Sequence, residues 1–128
     1  MMRVLIVEPG KAPYEKEIPS TLEAMQDVVG GLIQAVYPYD EPVALICNDE
    51  GKLQGLPYNR ALRDPESWEI YDAVTGTFFL CGAPEDSEDF TSLSDKQVEM
   101  CKKWFAAPEM FINLGGTFMV LTMPDACQ

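Results

Sequence analysis

Asn48, Asn59 and Arg60 fall within one stretch, NDEGKLQGLPYNR (48–60), where turn-forming residues and a proline hold polar side chains on a short rigid segment. The chemistry open to such a group is recognition. An arginine fork grips an anionic group through two parallel hydrogen bonds, and asparagine amides add donors and acceptors beside it. Asp72 is a further polar candidate, and Gly30-Gly31 lets either its helix approach the sheet closely or a ligand or partner backbone lie against it. Asn48, Asn59, Arg60, Asp72, Gly30 and Gly31 are therefore the candidate ligand-binding residues. A structural account competes with this one: asparagines cap loops through their own amides, and Arg60 would tie a loop to backbone carbonyls or to Asp72.

Catalysis has less to work with. The chain contains no histidine, which excludes a histidine-based triad, a histidine general base and most catalytic zinc sites. Its four cysteines, Cys47, Cys81, Cys101 and Cys127, lack the close paired spacing of a zinc site, and three sit in apolar patterns as small buried hydrophobes. Asp49, Glu50 and Asp72 would serve as acid and base or hold magnesium only if folding brought them together, which spacing does not show. No catalytic residue, metal or cofactor is nominated.

Charge points elsewhere. With 9 basic and 21 acidic side chains the formal charge is −12 and the isoelectric point about 4.2. Direct nucleic-acid binding needs cations to displace counterions from phosphates, so it is disfavoured. The first functional reading is a non-enzymatic interaction protein whose acidic face engages a partner's basic surface, such as one that holds DNA. The acidic run Glu85, Asp86, Glu88 and Asp89 is its candidate contact. Solubility alone would also explain excess negative charge. The alternative reading is a small-molecule or peptide sensor, with Gly30-Gly31, Asn59 and Arg60 lining a pocket.

The elements that must position these residues follow from periodicity. At 128 residues and 47% hydrophobic content the chain fits a single domain spanning 1–128. Val4 to Val7 and Tyr14 to Ile18 form a hairpin across Pro9-Gly10-Lys11. A capping-box spacing from Ser20 to Glu23 opens a helix whose apolar stripe runs from Leu22 through Leu32 and Ile33 to Val36, ending before Pro38. Gly30-Gly31 inside it is a conflict costing about 1 kcal/mol per glycine. Val43 to Cys47 reads as a buried strand with a short return strand from Lys52 to Leu56. Tyr58 to Asp64 has no clean period. Trp68 to Asp72 alternates and leads into a strand from Val74 to Gly82, apolar on both faces. A second capping box at Ser94–Gln97, stapled by Leu93 and Val98, opens a second helix, and Gly115-Gly116 precedes a strand from Thr117 to Thr122.

This order gives an α+β fold: a mixed or mostly antiparallel sheet of about five or six strands with two helices packed on one face. The apolar runs fall far short of the roughly 20 residues that cross a bilayer, and the N-terminal run is too short for a secretory signal. The expected location is the cytoplasm, without membrane association.

One set of motifs carries a resemblance: Val29-Gly30-Gly31, Glu50-Gly51-Lys52-Leu53, Gly55-Leu56-Pro57, Asn59-Arg60, Asp72 and Gly76-Thr77-Phe78. It resembles the domain-of-unknown-function 3846 family over about Met2 to Gly82. What the resemblance implies is context: small proteins and modules of bacterial mobile elements and phages, sometimes beside anti-restriction modules. It implies no activity.

Overall fold

The computed structural model describes residues 1–39, 41–64, 66–114 and 117–122. Strands β1 (Met2–Val7), β2 (Tyr14–Ile18), β3 (Ile33–Val36), β4 (Val43–Asn48) and β7 (Phe78–Gly82) form an antiparallel sheet in the order β2-β1-β7-β4-β3. β5 (Tyr58–Arg63) pairs with β6 (Ile70–Thr75), and β8 (Glu109–Leu114) with β9 (Thr117–Thr122), each as a separate antiparallel pair. The helices are α1 (Leu22–Val29) and α2 (Asp95–Trp104).

β4 and β7 are buried along their whole length, as expected of apolar runs in mid-sheet. Alternation sends their side chains to two cores. Leu5, Val7, Leu45, Phe78 and Leu80 face one, with Val98 and Cys101 of α2, Phe105, and Leu62 and Val74 from the β5–β6 hairpin. Val4, Ile6, Ala44, Ile46, Phe79 and Cys81 face the other, closed by Met25, Val28 and Val29 of α1. The helices thus cover opposite faces, which corrects the expectation of one face. The reason is energetic: a sheet apolar on both sides, covered on one, would leave Ile46 and Phe79 in water at about 1.5–3 kcal/mol each.

The first helix is shorter than its apolar stripe implied. Thr21, one residue after the expected cap, accepts from Ala24 N–H at 3.2 Å. Gly30 ends the helix at φ 78°, its N–H bonding to Gln26 O at 2.8 Å. Only glycine enters that left-handed conformation without cost, so Gly30 is a terminator. Ile33 to Val36 then forms β3 and pairs with β4. The expected return strand Lys52–Leu56 is a run of turns, and β4 instead lies between β3 and β7. The supposed continuous strand Val74–Gly82 breaks at Gly76, φ 75°, so that β6 and β7 join different sheets. The aperiodic Tyr58–Asp64 segment contains β5, and β8 is a strand additional to those the sequence indicates. The capping box at Ser94 forms as expected, with Ser94 Oγ accepting from Gln97 N–H at 3.1 Å. Gly115, Gly116 and Cys127 lie outside the described residues.

Cys47, Cys81 and Cys101 are free and buried. Burial pushes the Cys47 thiol up to about 11, with Asp49 and Asp72 adding to the shift. It pushes Cys81 and Cys101 up to about 12. A group whose pKa rises on folding contributes stability that is complete below its unfolded value, near 9, and lost as pH climbs through the folded value. The urea midpoint should therefore hold up to about pH 9 and fall steadily to about pH 12. A Cys81→Ala, Cys101→Ala variant should show a shallower decline; an unchanged slope would remove the thiols from the explanation.

Candidate functional site

β5 carries Asn59 and Arg60 into the interior, where they are 0% and 1% exposed. A bulge between Tyr58 and Arg60 marks their entry into the β5–β6 ladder. Asn59 Nδ2 donates to Val7 O at 2.8 Å and to Gly76 O at 2.9 Å. Arg60 Nη1 donates to Asn59 Oδ1 at 2.8 Å and Asn59 O at 3.2 Å. Arg60 Nη2 donates to Lys11 O at 2.6 Å and Phe105 O at 3.2 Å, and Nε reaches Phe105 O at 3.4 Å. The fork is spent on three main-chain carbonyls and the Asn59 side-chain oxygen, tying the end of α2 and the β1–β2 loop to β5. Burial lowers the Arg60 pKa, with Glu109 opposing. None of these hydrogen bonds involves Asp72.

Asn48 is buried too. Its Nδ2 donates to Val29 O at 3.2 Å and to Gln54 Oε1 at 3.4 Å, while Oδ1 accepts from Glu50 N–H at 2.8 Å. A Cβ on Gly31 would stand 2.8 Å from Asn48 Nδ2, so this glycine makes room for that amide. Asp72 accepts from Lys52 Nζ at 2.6 Å and from Ala73 N–H at 2.8 Å. Burial raises its pKa, but Lys52 and the amide outweigh that and hold it below the usual value. Asn48 and Asp72 share a cleft of about 150 Å³ with Asp49, Glu50 and Lys52, under Gln34 and Val36. Gly30 borders a separate hollow beside Pro57 and Thr77. Among the described residues no group of three or more acidic or cysteine side chains is placed to hold a metal ion.

The acidic run occupies a different place. Glu85, Glu88 and Asp89 line an open trough of about 550 Å³ together with Tyr37, Tyr39, Glu41 and Phe90; Asp86 is exposed on the same loop. The trough walls are fixed at their bases. Gly82 and Thr91 exchange backbone hydrogen bonds of 2.8 and 2.9 Å, and Ala83 N–H donates to Pro42 O at 2.8 Å. Tyr39 packs against Trp104 with ring centroids 3.7 Å apart and the rings tilted by 34°, and burial pushes its phenol up to about 12. Tyr37 is 61% exposed. Sequence reasoning found the acidic wall but missed Tyr37, Tyr39 and Glu41. The signal was present as alternating aromatic and turn residues ending in two acids, YPYDE (37–41).

No helix among the described residues is long and apolar enough to cross a membrane. No curated protein and no solved structure matches the chain. A family model described as "Domain of unknown function (DUF3846)" matches residues 2–106, spanning every element from β1 through α2, and the chain belongs to that family.

Proposed function

We propose that this is a non-enzymatic interaction protein that receives lysine or arginine side chains of a partner's basic surface in the trough between the β3–β4 connection and the β7–α2 loop. One observation carries the reading: Glu41 on one wall and Glu85, Glu88 and Asp89 on the other converge with Tyr37 and Tyr39. Carboxylates attract the cation and tyrosine faces hold it by cation–π contact. Both walls come from stretches, 17–51 and 64–95, that contain no lysine or arginine, and none lines the trough; Arg63, whose charge is felt at Tyr39, is itself paired with Glu109 at 2.6 Å. DNA-binding proteins present surfaces of this kind. The mobile-element setting implied by the family resemblance, and a cytoplasmic location with its free thiols, fit that reading. A sensor built on Asn59 and Arg60 lacks such support, because carbonyls consume both side chains.

The test separates the trough from overall charge. Glu85→Gln, Glu88→Gln and Asp89→Asn together remove as much charge as Glu66→Gln, Glu69→Gln and Glu99→Gln, which change exposed residues outside the trough. Calorimetric titration with a polylysine peptide should give about tenfold weaker binding for the first set and about twofold for the second, a difference near 1 kcal/mol. Equal losses would leave only nonspecific attraction.

A further inference from the structure

The two edges of the central sheet are treated differently. On β2 the chain places Glu15, Lys16 and Glu17, and Glu15 is clamped by Arg3 at 2.8 Å and Lys102 at 3.1 Å. Charged side chains of this kind are how proteins keep an edge from accepting another strand. The opposite edge, β3, reads Ile33-Gln34-Ala35-Val36, with no charge, no proline and no bulge. Among the described residues no strand pairs with its outer side.

Register shows which groups that side offers. Asp49 N–H donates to Leu32 O at 2.8 Å, and Ile33 stands opposite Asn48, so Leu32, Gln34 and Val36 are the residues bonded to β4. In an antiparallel pair the alternate residues point their N–H and C=O away. Ile33 and Ala35 therefore present unpaired backbone groups outward. Carboxylates outnumber cations around this edge. Gln34 and Val36 border the cleft that holds Asp49, Glu50 and Asp72. Of these, Asp72 is paired with Lys52 at 2.6 Å, which leaves Asp49 and Glu50 to meet a partner's cations. The strand runs on into Tyr37 and the trough with Glu41 and Glu85.

We infer that β3 receives an extended, basic segment of the partner protein as a sixth strand of the sheet, hydrogen-bonded to Ile33 and Ala35, with its cationic side chains directed at the flanking carboxylates. Charge complementarity selects this occupant. A second copy of the chain, itself at −12, would bring two acidic edges together. Backbone pairing gives affinity without demanding a sequence, and the acidic surroundings select for basic side chains. The inference deepens the trough reading and rests on it for the partner's charge.

The probe is a synthetic peptide of alternating lysine and valine, followed by amide hydrogen exchange of the protein. In the free protein Ile33 and Ala35 should exchange much faster than Gln34 and Val36; bound peptide should slow Ile33 and Ala35 by about tenfold or more. Ala35→Pro deletes one outward N–H while sparing the β4 ladder, and should weaken peptide binding about tenfold, as should N-methylation of alternate peptide amides. Binding that leaves both amides exchanging freely overturns strand addition, even if it is salt-sensitive and lost in the Glu85, Glu88, Asp89 variant, the result that upholds the trough alone. Protection that survives that variant upholds strand addition and counts against the trough. No binding overturns the inference.

Discussion

Replacing Arg60 with methionine should lower the unfolding free energy by about 3–5 kcal/mol and the melting temperature by about 10 °C or more. Methionine fills much of the space, so a cavity is not the main cost. What it strands is the set of carbonyls that the guanidinium satisfies: Phe105 O, Lys11 O and the Asn59 oxygens. Each buried acceptor left without a donor costs about 1–3 kcal/mol. Arg60→Lys should recover only part, because one ammonium cannot span carbonyls on separate segments. Asn59→Ala should be nearly as damaging, and the double variant less damaging than the two single losses combined, since the 2.8 Å bond between them is lost once. Denaturant unfolding is the measurement. An Arg60→Met protein as stable as the parent would show that the arginine is held for a ligand, and that the structural account of it is mistaken.

Gly82→Ala should cost about 3 kcal/mol and loosen the trough at the same time. A Cβ there would lie 2.5 Å from Thr91 Oγ1, 2.8 Å from Ser92 O and 3.2 Å from Thr91 O. The hydroxyl would rotate away at little cost, but the two backbone oxygens belong to the segment leading into α2. That segment is pinned by Leu93 N–H donating to Arg3 O at 2.9 Å, with the Leu93 side chain in the core. Relief therefore requires opening the Gly82–Thr91 bridge, the base on which the loop carrying Glu85, Glu88 and Asp89 stands. The variant should melt earlier and bind polylysine more weakly than the parent at a temperature where both are folded. Thr91→Ser would retain the bridge and should leave both properties near those of the parent. Loss of stability with undiminished binding would detach the trough from its base.

Local chemistry made several features legible before any coordinates. The Ser94 capping box, the β1–β2 hairpin and the buried run of β4 formed where the residues indicated, and β7 formed over the second half of the strand expected from Val74 to Gly82. The acidic character of 85–89 was equally plain. Errors gathered where a local pattern had two solutions. Leu32, Ile33 and Val36 continue the helical stripe, yet Gly30 in the left-handed region ends α1, and β4, with an unpaired edge, captures the next residues. Tyr58 to Arg63 looks aperiodic because β5 is bulged and buries charged Arg60 beside Asn59; no periodicity rule anticipates a strand that hides an arginine.

The chain by itself determined the fold class, the excess of negative charge and the exclusion of histidine chemistry, because these follow from composition and short-range spacing. Only the tertiary structure decided the roles. It turned Asn59 and Arg60 from apparent ligand groups into a knot of carbonyl bonds, and it set Tyr37, Tyr39 and Glu41 opposite a loop more than forty residues away. The physical reason is that a hydrogen-bonding side chain satisfies whichever partner folding places beside it, and those partners, Val7, Lys11, Gly76 and Phe105, are scattered along the sequence until β1, β5 and α2 come together.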